Sequence, residues 1–228
     1  MITHHLKDIQ HNSERAITPF HIFELDRNAL EEYREPHTKD HFCLLFVKKG
    51  KMKMQVEDRR YDVTENNICV IFPGQLSSKE QISSNFEGKM ILFDEVLFCS
   101  DILKNELSIY NHNISVKLNH IELPVAETKE VELLLDQIEK LYHDLTSVKK
   151  EQARFYIKIT LLKLVEFVHT KWDKNKLTNE NTKLYGKFLE LLERYYKTER
   201  TVSWYAERLL ISPKKLNEIT KKTAGLTS

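Results

Sequence analysis

The chain has 228 residues, 41% of them hydrophobic and 30% charged, which is typical of one large or two small globular domains. No apolar run reaches the roughly 20 residues of a membrane-spanning helix, and the segment MITHHLKDIQHNSER lacks the apolar core of a secretory signal. The net charge of +1 hides an asymmetry, because residues 182–228 hold ten Lys or Arg against five Asp or Glu. This basic segment favours an anionic partner.

Three cysteines are widely spaced, and none lies in a Cys-x-x-Cys motif: Cys43, Cys69 and Cys99. An odd number in this arrangement is typical of buried thiols in a reducing compartment. The sequence therefore predicts a cytoplasmic protein.

The first half of the chain shows the pattern of short β-strands. The apolar run HFCLLFV precedes a turn at Gly50, and apolar residues then alternate with polar ones in two segments. The alternating residues are Met52, Met54 and Val56, and then Ile68, Val70 and Phe72. Pro73 ends the second segment because proline cannot donate to strand pairing, and KMILFDE supplies another strand. Many short strands at close spacing predict an antiparallel sandwich or barrel.

The middle of the chain changes to helical spacing. The apolar face of a first helix consists of Val131, Leu134, Leu135, Ile138, Leu141, Tyr142 and Leu145. A second helix is predicted from about Gln152 to Trp172, with Phe155, Ile159 and Leu162 on one face. Its Leu161–Val168 segment is apolar almost all round, which requires burial on more than one side. Packing within the chain and a homodimer interface are both open interpretations.

Residues 173–183, DKNKLTNENTK, contain a single apolar residue and are predicted to be a linker. The next helix has an apolar face made of Phe188, Leu191, Leu192 and Tyr195. Thr201 or Ser203 caps a further helix. The inward residues of that helix are predicted to be Val202, Ala206, Leu209 and Leu210.

The last predicted helix begins at Ile211-Ser212-Pro213, because Ser is a favourable N-cap and Pro is favoured at the first helical position. Leu216 and Ile219 bury the helix, and Gly225 fits its C-terminal cap. Two short helices separated by such a tight turn predict a helix-turn-helix, whose second helix enters the DNA major groove.

The outward side of this last helix carries the predicted DNA contacts. Lys can donate to guanine, Asn can pair with adenine and Glu can accept from cytosine, so Lys214, Asn217 and Glu218 are predicted base contacts. The predicted phosphate contacts are Ser212, Lys215, Lys221 and Lys222. A solvated helix face is the alternative interpretation.

These segments resemble AraC-type transcription regulators. LLERYYKTERTVSWYAERLLISPKKLNEITKKTAG resembles the first helix-turn-helix of that family, with Ile-Ser-Pro followed by Leu and Lys-Lys-x-x-Gly. The upstream segments EPHTKDHFCLLFVKKGKMKM and YDVTENNICVIFPGQ resemble the cupin-type sensor domain of the same family. The two helices between these parts correspond to the dimerisation and linking helices of the family. Members of the family usually carry a second helix-turn-helix, whereas this sequence stops at Ser228, where the connecting helix should begin. Members also often have Arg where this chain has Glu218. We therefore expect a truncated form that binds DNA weakly.

A metal-dependent cupin enzyme is a rival interpretation, in which His21, His37 and His41 would bind the metal. The second cupin motif normally supplies a His soon after Pro-Gly, but this chain has Ser77 and Ser78 there. Because a catalytic metal needs about three protein ligands, we expect no metal. The sequence has no Gly-rich phosphate loop and no Gly-x-Ser-x-Gly motif, so we also expect no other cofactor and no catalytic residue. A small ligand in the barrel mouth is predicted to contact His41, Cys43, Tyr61 and Phe93, and a strand shift of one residue would reverse each choice.

The predicted fold class is α+β, with an antiparallel cupin-like barrel, helices, and a C-terminal all-α helix-turn-helix subdomain. The predicted domains are a ligand-sensing β domain at 1–125, a helical dimerisation element at 126–172, a linker at 173–183 and a helix-turn-helix at 184–228. The predicted function is a ligand-responsive, non-enzymatic transcription regulator whose partners are DNA, an unknown small-molecule effector and a second copy of the chain. A dimerising regulator without DNA binding is the second rival.

Overall fold

The computed structural model describes residues 2–6, 20–98, 103, 107, 112–144, 146–173 and 180–224. Within them ten strands are formed: β1 Ile2–His4, β2 Phe20–Asp26, β3 His37–Lys39, β4 Phe42–Lys49, β5 Lys51–Val56, β6 Arg59–Thr64, β7 Asn67–Ile71, β8 Ser77–Glu80, β9 Glu87–Phe93 and β10 Ile121–Glu122. Six α-helices are formed in the same residues: α1 His112–Leu118, α2 Val125–Tyr142, α3 Ser147–Asp173, α4 Glu180–Tyr195, α5 Val202–Arg208 and α6 Pro213–Ala224. Short 3₁₀ turns span Glu31–Tyr33 and Glu95–Phe98.

The strands form two five-stranded sheets that pack face to face. One sheet has the order β1-β3-β8-β5-β6, and the other has the order β10-β7-β4-β9-β2. The pairing is antiparallel except between β1 and β3, which run parallel. The predicted class of α+β with a cupin-like β domain is confirmed, although the prediction of purely antiparallel pairing missed this one parallel pair. Polar strands such as β3 and β8 lack the apolar alternation by which strands are recognised.

Strand β4 is buried on both faces, which explains why its sequence is a continuous apolar run. Phe42, Leu44 and Phe46 face the helices, whereas Cys43 and Leu45 face the space between the two sheets. A strand covered on both sides needs no polar face. Cys43 and Cys69 are free, buried thiols, as predicted. The third cysteine, Cys99, lies outside the described residues.

Helices α2 and α3 pack against the outer face of the β4 sheet and share its apolar cluster. Leu161, Leu164, Val165 and Val168 are all buried within the chain, so packing accounts for most of the apolar Leu161–Val168 segment. Leu162 of the same segment is 41% exposed, so a dimer interface that includes part of this segment stays a prediction. The large apolar side chains exposed on α3 are Val148 in its first turn and then Phe155, Ile159 and Leu162.

The predicted helix boundaries differ from the observed ones at two points. Helix α3 begins at Ser147, five residues before the predicted start at Gln152. Helix α4 begins at Glu180, so the last part of the predicted linker is helical, and residues 174–179 lie outside the described residues. Leu145 and the predicted cap Gly225 also lie outside them.

Helices α4, α5 and α6 share a separate apolar cluster, which includes Phe188, Ala206, Leu209, Leu216 and Ile219 as predicted. Two further members are Tyr185 and Tyr205, and the Tyr205 hydroxyl donates to the Glu199 carbonyl over 2.8 Å.

The prediction that the Leu210 side chain points inward is wrong, because that side chain is 92% exposed. Leu210 lies in the turn after α5 and has a φ of 56°, a left-handed conformation that ends the helix and turns the side chain outward.

Candidate functional site

Polar and charged side chains gather on the inner face of the sheet that contains β1, β3 and β8. Ser77 and Lys79 of β8 lie opposite Val56 and Met54 of β5, whose side chains belong to the cluster between the sheets. His37 of β3 pairs with Ser77. Because alternate residues of a strand share a face, these side chains and Lys39 point toward the interior.

Tyr33, in the short 3₁₀ turn before β3, lies in the middle of this group. The ammonium nitrogens of Lys39 and Lys79 are 5.0 and 4.9 Å from the centroid of its ring, so both make cation–π contacts. The His37 ring lies 5.4 Å from the Tyr33 ring and 4.9 Å from the His4 ring. We call these five residues, His4, Tyr33, His37, Lys39 and Lys79, the interior basic cluster.

Burial is nearly complete for the charged members of the interior basic cluster. Lys39 is 2% exposed and Lys79 is 1% exposed. The Lys39 ammonium donates to Nε2 of His37, whose Nδ1–H donates to the carbonyl of Glu35 over 2.8 Å. Burial, followed by the charge of Lys39, lowers the pKa of His37 to about 3, so this imidazole is neutral at pH 7.

His41, which precedes β4, adds a further buried imidazole to the same interior. Its Nδ1 is 2.8 Å from Oδ1 of Asp40, whereas its Nε2 has no hydrogen-bond partner among the described residues. Burial lowers the pKa of His41 although Asp40 opposes the shift, and the charge of Lys39 adds to the lowering. Burial alone would raise the pKa of Asp40, but hydrogen bonds from His41, His5 and the Leu6 N–H outweigh it and lower that pKa to about 2.

Two buried hydroxyl groups also lack a partner within the described part of the chain: Ser77 Oγ and Tyr61 Oη. Buried polar groups in folded proteins are usually hydrogen-bonded, so each such atom marks a place where a ligand or water can bind.

The predicted ligand contacts are only partly brought together. Cys43 and Tyr61 contact the cluster between the sheets, and His41 lies close enough to Lys39 for the lysine charge to affect its pKa. Phe93 does not line this space, because its ring stacks on Phe42 at 5.2 Å in the helix-facing cluster. Its neighbour Leu92 faces inward instead, so the prediction for Phe93 was wrong by one residue of strand parity.

The three histidines predicted for a rival metal site do not form one. Within the described ranges, no three His, Cys, Asp or Glu side chains are grouped so that they could hold a metal ion. His21 instead lies with its Nδ1 2.6 Å from the hydroxyl of Tyr142 on α2.

A cavity of about 330 Å³ opens beside the interior basic cluster. Strands β3 and β8 are joined by a single residue pair, His37 and Ser77, and the cavity lies between β8 and the segment 34–36. Both Ser77 and Lys79 line it. Its remaining lining residues are Arg34, Glu35, Pro36, Gln55, Glu57, Leu76, Ser78, Glu80 and Gln81.

Two polar contacts join the β4 sheet to α2. Lys89 of β9 is buried and donates to Asp136 over 2.6 Å and to Glu139 over 2.5 Å. The His21–Tyr142 hydrogen bond is the second contact. Both therefore connect strands of the β4 sheet with one helix.

Helix α6 exposes the side chains predicted to contact DNA. Leu216 and Ile219 are buried, whereas Lys214, Asn217, Glu218, Lys215 and Lys221 face the solvent. The predicted N-cap is confirmed, since Ser212 Oγ accepts from the Lys215 N–H over 3.1 Å. Lys222 lies within α6, but its side chain is not among those that the structure describes.

Sequence reasoning missed Tyr33, Lys39, Ser77 and Lys79. His37 and Lys39 are spaced i, i+2, and so are Ser77 and Lys79. This spacing places each pair on one strand face, but the sequence does not show that these polar segments are strands.

None of the helices in the described ranges has the length and apolarity needed to cross a bilayer.

Comparison with known proteins identifies the first part of the chain. The model of the AraC-like ligand-binding domain family matches residues 21–158, which is more than half of the chain. No curated protein matches the chain in sequence.

Solved structures show only distant similarity. The AraC-like transcriptional activator CuxR is 11% identical, with a TM-score of 0.41 over 91% of this chain and 69% of its own. The apo form of a ToxT variant from Vibrio cholerae is 10% identical, with a TM-score of 0.46 over 92% and 96%. Oxalate decarboxylase from Bacillus subtilis is 15% identical, with a TM-score of 0.26 over 35% and 26%. Because these scores are low, the assignment depends on the family model, and by that match the chain belongs to the AraC-like ligand-binding domain family.

Proposed function

We propose that the chain is a ligand-responsive transcription regulator that binds DNA through α6. The main support is the combination of an AraC-like ligand-binding domain with a separate helical cluster that exposes a basic helix. A domain that binds a small molecule and a surface suited to nucleic acid together make the parts of a ligand-controlled switch.

The order of α5 and α6 suits DNA binding. Residues 209–212 join the two helices, and Leu216 and Ile219 anchor α6, so that its opposite side is exposed. In a helix-turn-helix the N-terminal residues of the second helix contact base edges. Lys214, Asn217 and Glu218 are therefore the proposed base contacts.

The proposed phosphate contacts flank these positions and comprise Ser212, Lys215, Lys221 and Lys222. The Ser212 oxygen accepts the helix cap hydrogen bond, and its own O–H remains able to donate to a phosphate. Arg208 stacks on Trp204, with its guanidinium carbon 3.4 Å from the ring centroid, and this contact holds the surface of α5 next to the turn.

A homodimer is proposed through the exposed stripe of α3. Phe155, Ile159 and Leu162 are 57%, 42% and 41% exposed and lie at i, i+4 and i+7, so they form one face of the helix. A second copy of this stripe is a suitable partner, because two-fold dimers bring the same apolar patch of both subunits together.

The proposed route from ligand to DNA passes through α2. A ligand that changes the sheets would alter the Lys89 contacts with Asp136 and Glu139 and the His21 contact with Tyr142. Since α2 packs on α3, the change would reach the proposed dimer stripe and bias the arrangement of the two DNA-binding parts.

The direct test is selection of bound duplexes from a random DNA pool, followed by titration of the selected duplex. Asn217→Ala should cost about 1–3 kcal/mol at one base position and relax specificity there. Lys221→Ala should weaken binding to all sequences alike and lower the salt dependence by about one charge. The matched control is Lys53→Ala, an exposed lysine that lies on β5 and not on α6, which should change neither the specificity nor the salt dependence.

Dimerisation is tested separately by sedimentation. Ile159→Glu should produce monomers, whereas Leu133→Glu, at a more exposed apolar position on α2, should not. If no sequence is enriched in the selection while the chain still dimerises, the rival of a dimerising regulator without DNA binding replaces the proposal.

A further inference from the structure

A second cavity, of about 550 Å³, lies between helix α1 and the turn that joins β5 to β6, and we call it the α1 cavity. It is lined by Ser115 and Val116 of α1, by Asn119 just after that helix, and by the segments 56–59 and 72–75. It shares only Glu57 with the cavity beside β8. Its volume is within the range of small-molecule sites, and the proposed function gives it no role.

The lining of the α1 cavity is apolar in part and carries no strong charge of one sign. Its apolar lining residues are Val56, Phe72, Pro73 and Val116. Its charged lining residues lie at the exposed turn after β5 and include both signs: Glu57, Asp58 and Arg59. Such a lining favours a neutral ligand with an apolar ring or chain, oriented by a few polar groups.

The side-chain amides of Gln75 and Asn119 supply polar groups to this cavity, and most of their hydrogen-bonding capacity is already used. Both N–H groups of Asn119 donate, to the Val70 carbonyl over 2.8 Å and to Gln75 Oε1 over 2.9 Å. Gln75 Oε1 also accepts from the Phe72 N–H over 2.8 Å. Gln75 Nε2 donates to Asn119 Oδ1 over 3.4 Å. These bonds fix the orientation of both amides.

One donor and one acceptor of this pair remain without a partner among the described residues. A primary amide has two N–H donors and an oxygen with two lone pairs, so Gln75 Nε2 keeps one N–H and Asn119 Oδ1 keeps one lone pair. The two atoms are neighbours, since 3.4 Å separates them. A ligand that carries an acceptor beside a donor, as a carboxamide or a lactam does, can bind both atoms at once. A ketone or a carboxylate cannot, because it lacks the donor.

Helix α1 is in contact with both parts of the molecule. Ile114 and Leu118 belong to the apolar cluster shared by the β4 sheet, α2 and α3. Ser115 and Val116 line the α1 cavity. The backbone of α1 also approaches that of α4, the first helix of the α4–α6 cluster. A ligand that shifts α1 would therefore alter how the α4–α6 cluster is held against the β domain.

We propose that the α1 cavity binds a small neutral molecule through a carboxamide or lactam group, and that α1 transmits this binding to the α4–α6 cluster. The ligand accepts from Gln75 Nε2 and donates to Asn119 Oδ1, and its apolar part packs on Val116. The binding step is independent of the proposed function. Only the transmission step rests on it, because that step takes the α4–α6 cluster to be the DNA-binding part.

The binding experiment is titration of the 228-residue chain with nicotinamide, followed by ligand-observed NMR. Two probes of similar size are the controls, since 3-acetylpyridine lacks the amide donor and nicotinate lacks it and carries a charge. Nicotinamide should bind, and each control should bind about tenfold more weakly or less, because a hydrogen bond is lost. Absence of nicotinamide binding, or equal binding of nicotinamide and 3-acetylpyridine, overturns the proposal.

A glutamine variant tests the amide pair. Gln75→Glu keeps an oxygen that accepts from the Phe72 N–H but removes the N–H donor, so it should weaken nicotinamide binding about tenfold. Gln81→Glu adds the same charge at an exposed position outside the α1 cavity and should leave the affinity unchanged. Equal affinities of the two variants for nicotinamide would contradict the assignment of Gln75.

A filling variant tests the position of the site. Val116→Trp should occupy the α1 cavity and abolish nicotinamide binding, whereas Val125→Trp, at an exposed position at the start of α2, should not. Thermal unfolding checks that each variant folds. If a variant does not fold, the comparison of nicotinamide with 3-acetylpyridine on the unaltered chain still decides the question. Full binding by a folded Val116→Trp chain would place the ligand elsewhere and overturn the proposal.

Transmission is measured with the duplex obtained by selection. Saturating nicotinamide should change the affinity of the unaltered chain for that duplex about fivefold or more, and Val116→Trp should remove this response. An unchanged affinity overturns the transmission step. If no duplex is enriched but nicotinamide binding still depends on Gln75, only the proposed function fails. If a duplex is enriched but nicotinamide does not bind, only the inference about the α1 cavity fails.

Discussion

The interior between the two sheets and the surface of α6 both contain several lysines, but in opposite settings. Lys39 and Lys79 are almost completely buried against Tyr33, whereas Lys214 and Lys221 are exposed. An exposed lysine keeps its hydration and can meet any nearby phosphate, but a buried one acts only on a molecule small enough to reach it. The same residue type is therefore part of a packed interior in one region and of a solvent-exposed surface in the other.

The largest effect is expected in the helical region. Leu216→Ala should destabilise the α4–α6 cluster by about 2–5 kcal/mol, because Leu216 is fully buried and a cavity would remain. Urea unfolding followed by helical circular dichroism measures this loss. The exposed neighbour change Lys215→Ala should cost less than about 0.5 kcal/mol. Equal effects of the two changes would contradict the separate cluster.

Acid should distinguish the two regions. His37 has a pKa of about 3 in the folded chain, against 6.5 for an ordinary histidine. As the pH falls, the unfolded chain therefore binds a proton at this residue before the folded chain does. Its contribution to stability is therefore present above pH 6.5 and is lost as the pH falls toward 3. Between pH 6.5 and 4.5 we expect a loss of about 2–3 kcal/mol from the ligand-binding domain, measured by urea unfolding at each pH.

The control for the acid experiment is His37→Gln, which removes the titrating group. This variant should show a clearly flatter dependence on pH over the same range. An unchanged slope would mean that another group carries the effect.

A middle-sized effect is expected at the join between the sheet and α2. Lys89→Met should cost about 1–3 kcal/mol, because Asp136 and Glu139 lose their hydrogen bonds but are exposed enough to regain water. Burial lowers the pKa of Lys89, but the two carboxylates outweigh it and raise that pKa. Stability from Lys89 is thus present below the ordinary lysine pKa and is lost as the pH rises through the raised one.

Unfolding of the wild-type and Lys89→Met chains, compared at neutral and strongly alkaline pH, measures this contribution. The difference in stability between them should shrink at the alkaline end. A constant difference would show that packing of the lysine stem, not its charge, accounts for the loss.

The smallest effect is expected in the turn before α6. Leu210→Gly should stabilise the helical region by up to about 1 kcal/mol, because Leu210 has a φ of 56° and its exposed side chain packs on little. Thermal unfolding of this variant measures the gain. A substantial loss instead would show that Leu210 makes contacts that its exposure does not reveal.

The sequence predicts well those elements whose apolar pattern matches their burial. Apolar and polar residues alternate in strand β5 because one of its faces is buried. Helix α6 has Leu216 and Ile219 on its buried side, and Ser212-Pro213 marks its N-terminal end. Prediction fails where burial comes from partners that the pattern does not show. Leu161, Leu164, Val165 and Val168 are apolar because the sheet and α2 cover them, whereas the sequence pattern alone does not show that Leu162 in the same segment is exposed.

The candidate site was the harder part to predict. His41 and Cys43 were found because they adjoin a recognisable apolar strand. Lys39 and Lys79 lie on short polar strands, and a lysine is normally expected at the surface. Their burial depends on Tyr33 and on the facing sheet, both of which are supplied by distant parts of the chain.

The apolar cluster shared by the β4 sheet, α2 and α3 has a consequence for how the chain unfolds. Phe46, Leu135 and Leu161 all belong to it, so the sheet has no completed core of its own without the helices. A cut at residue 125, where the composition changes, would expose the outer face of the sheet and leave an aggregation-prone fragment. We therefore expect the β domain and the two long helices to unfold as one cooperative unit, and the α4–α6 cluster to unfold separately.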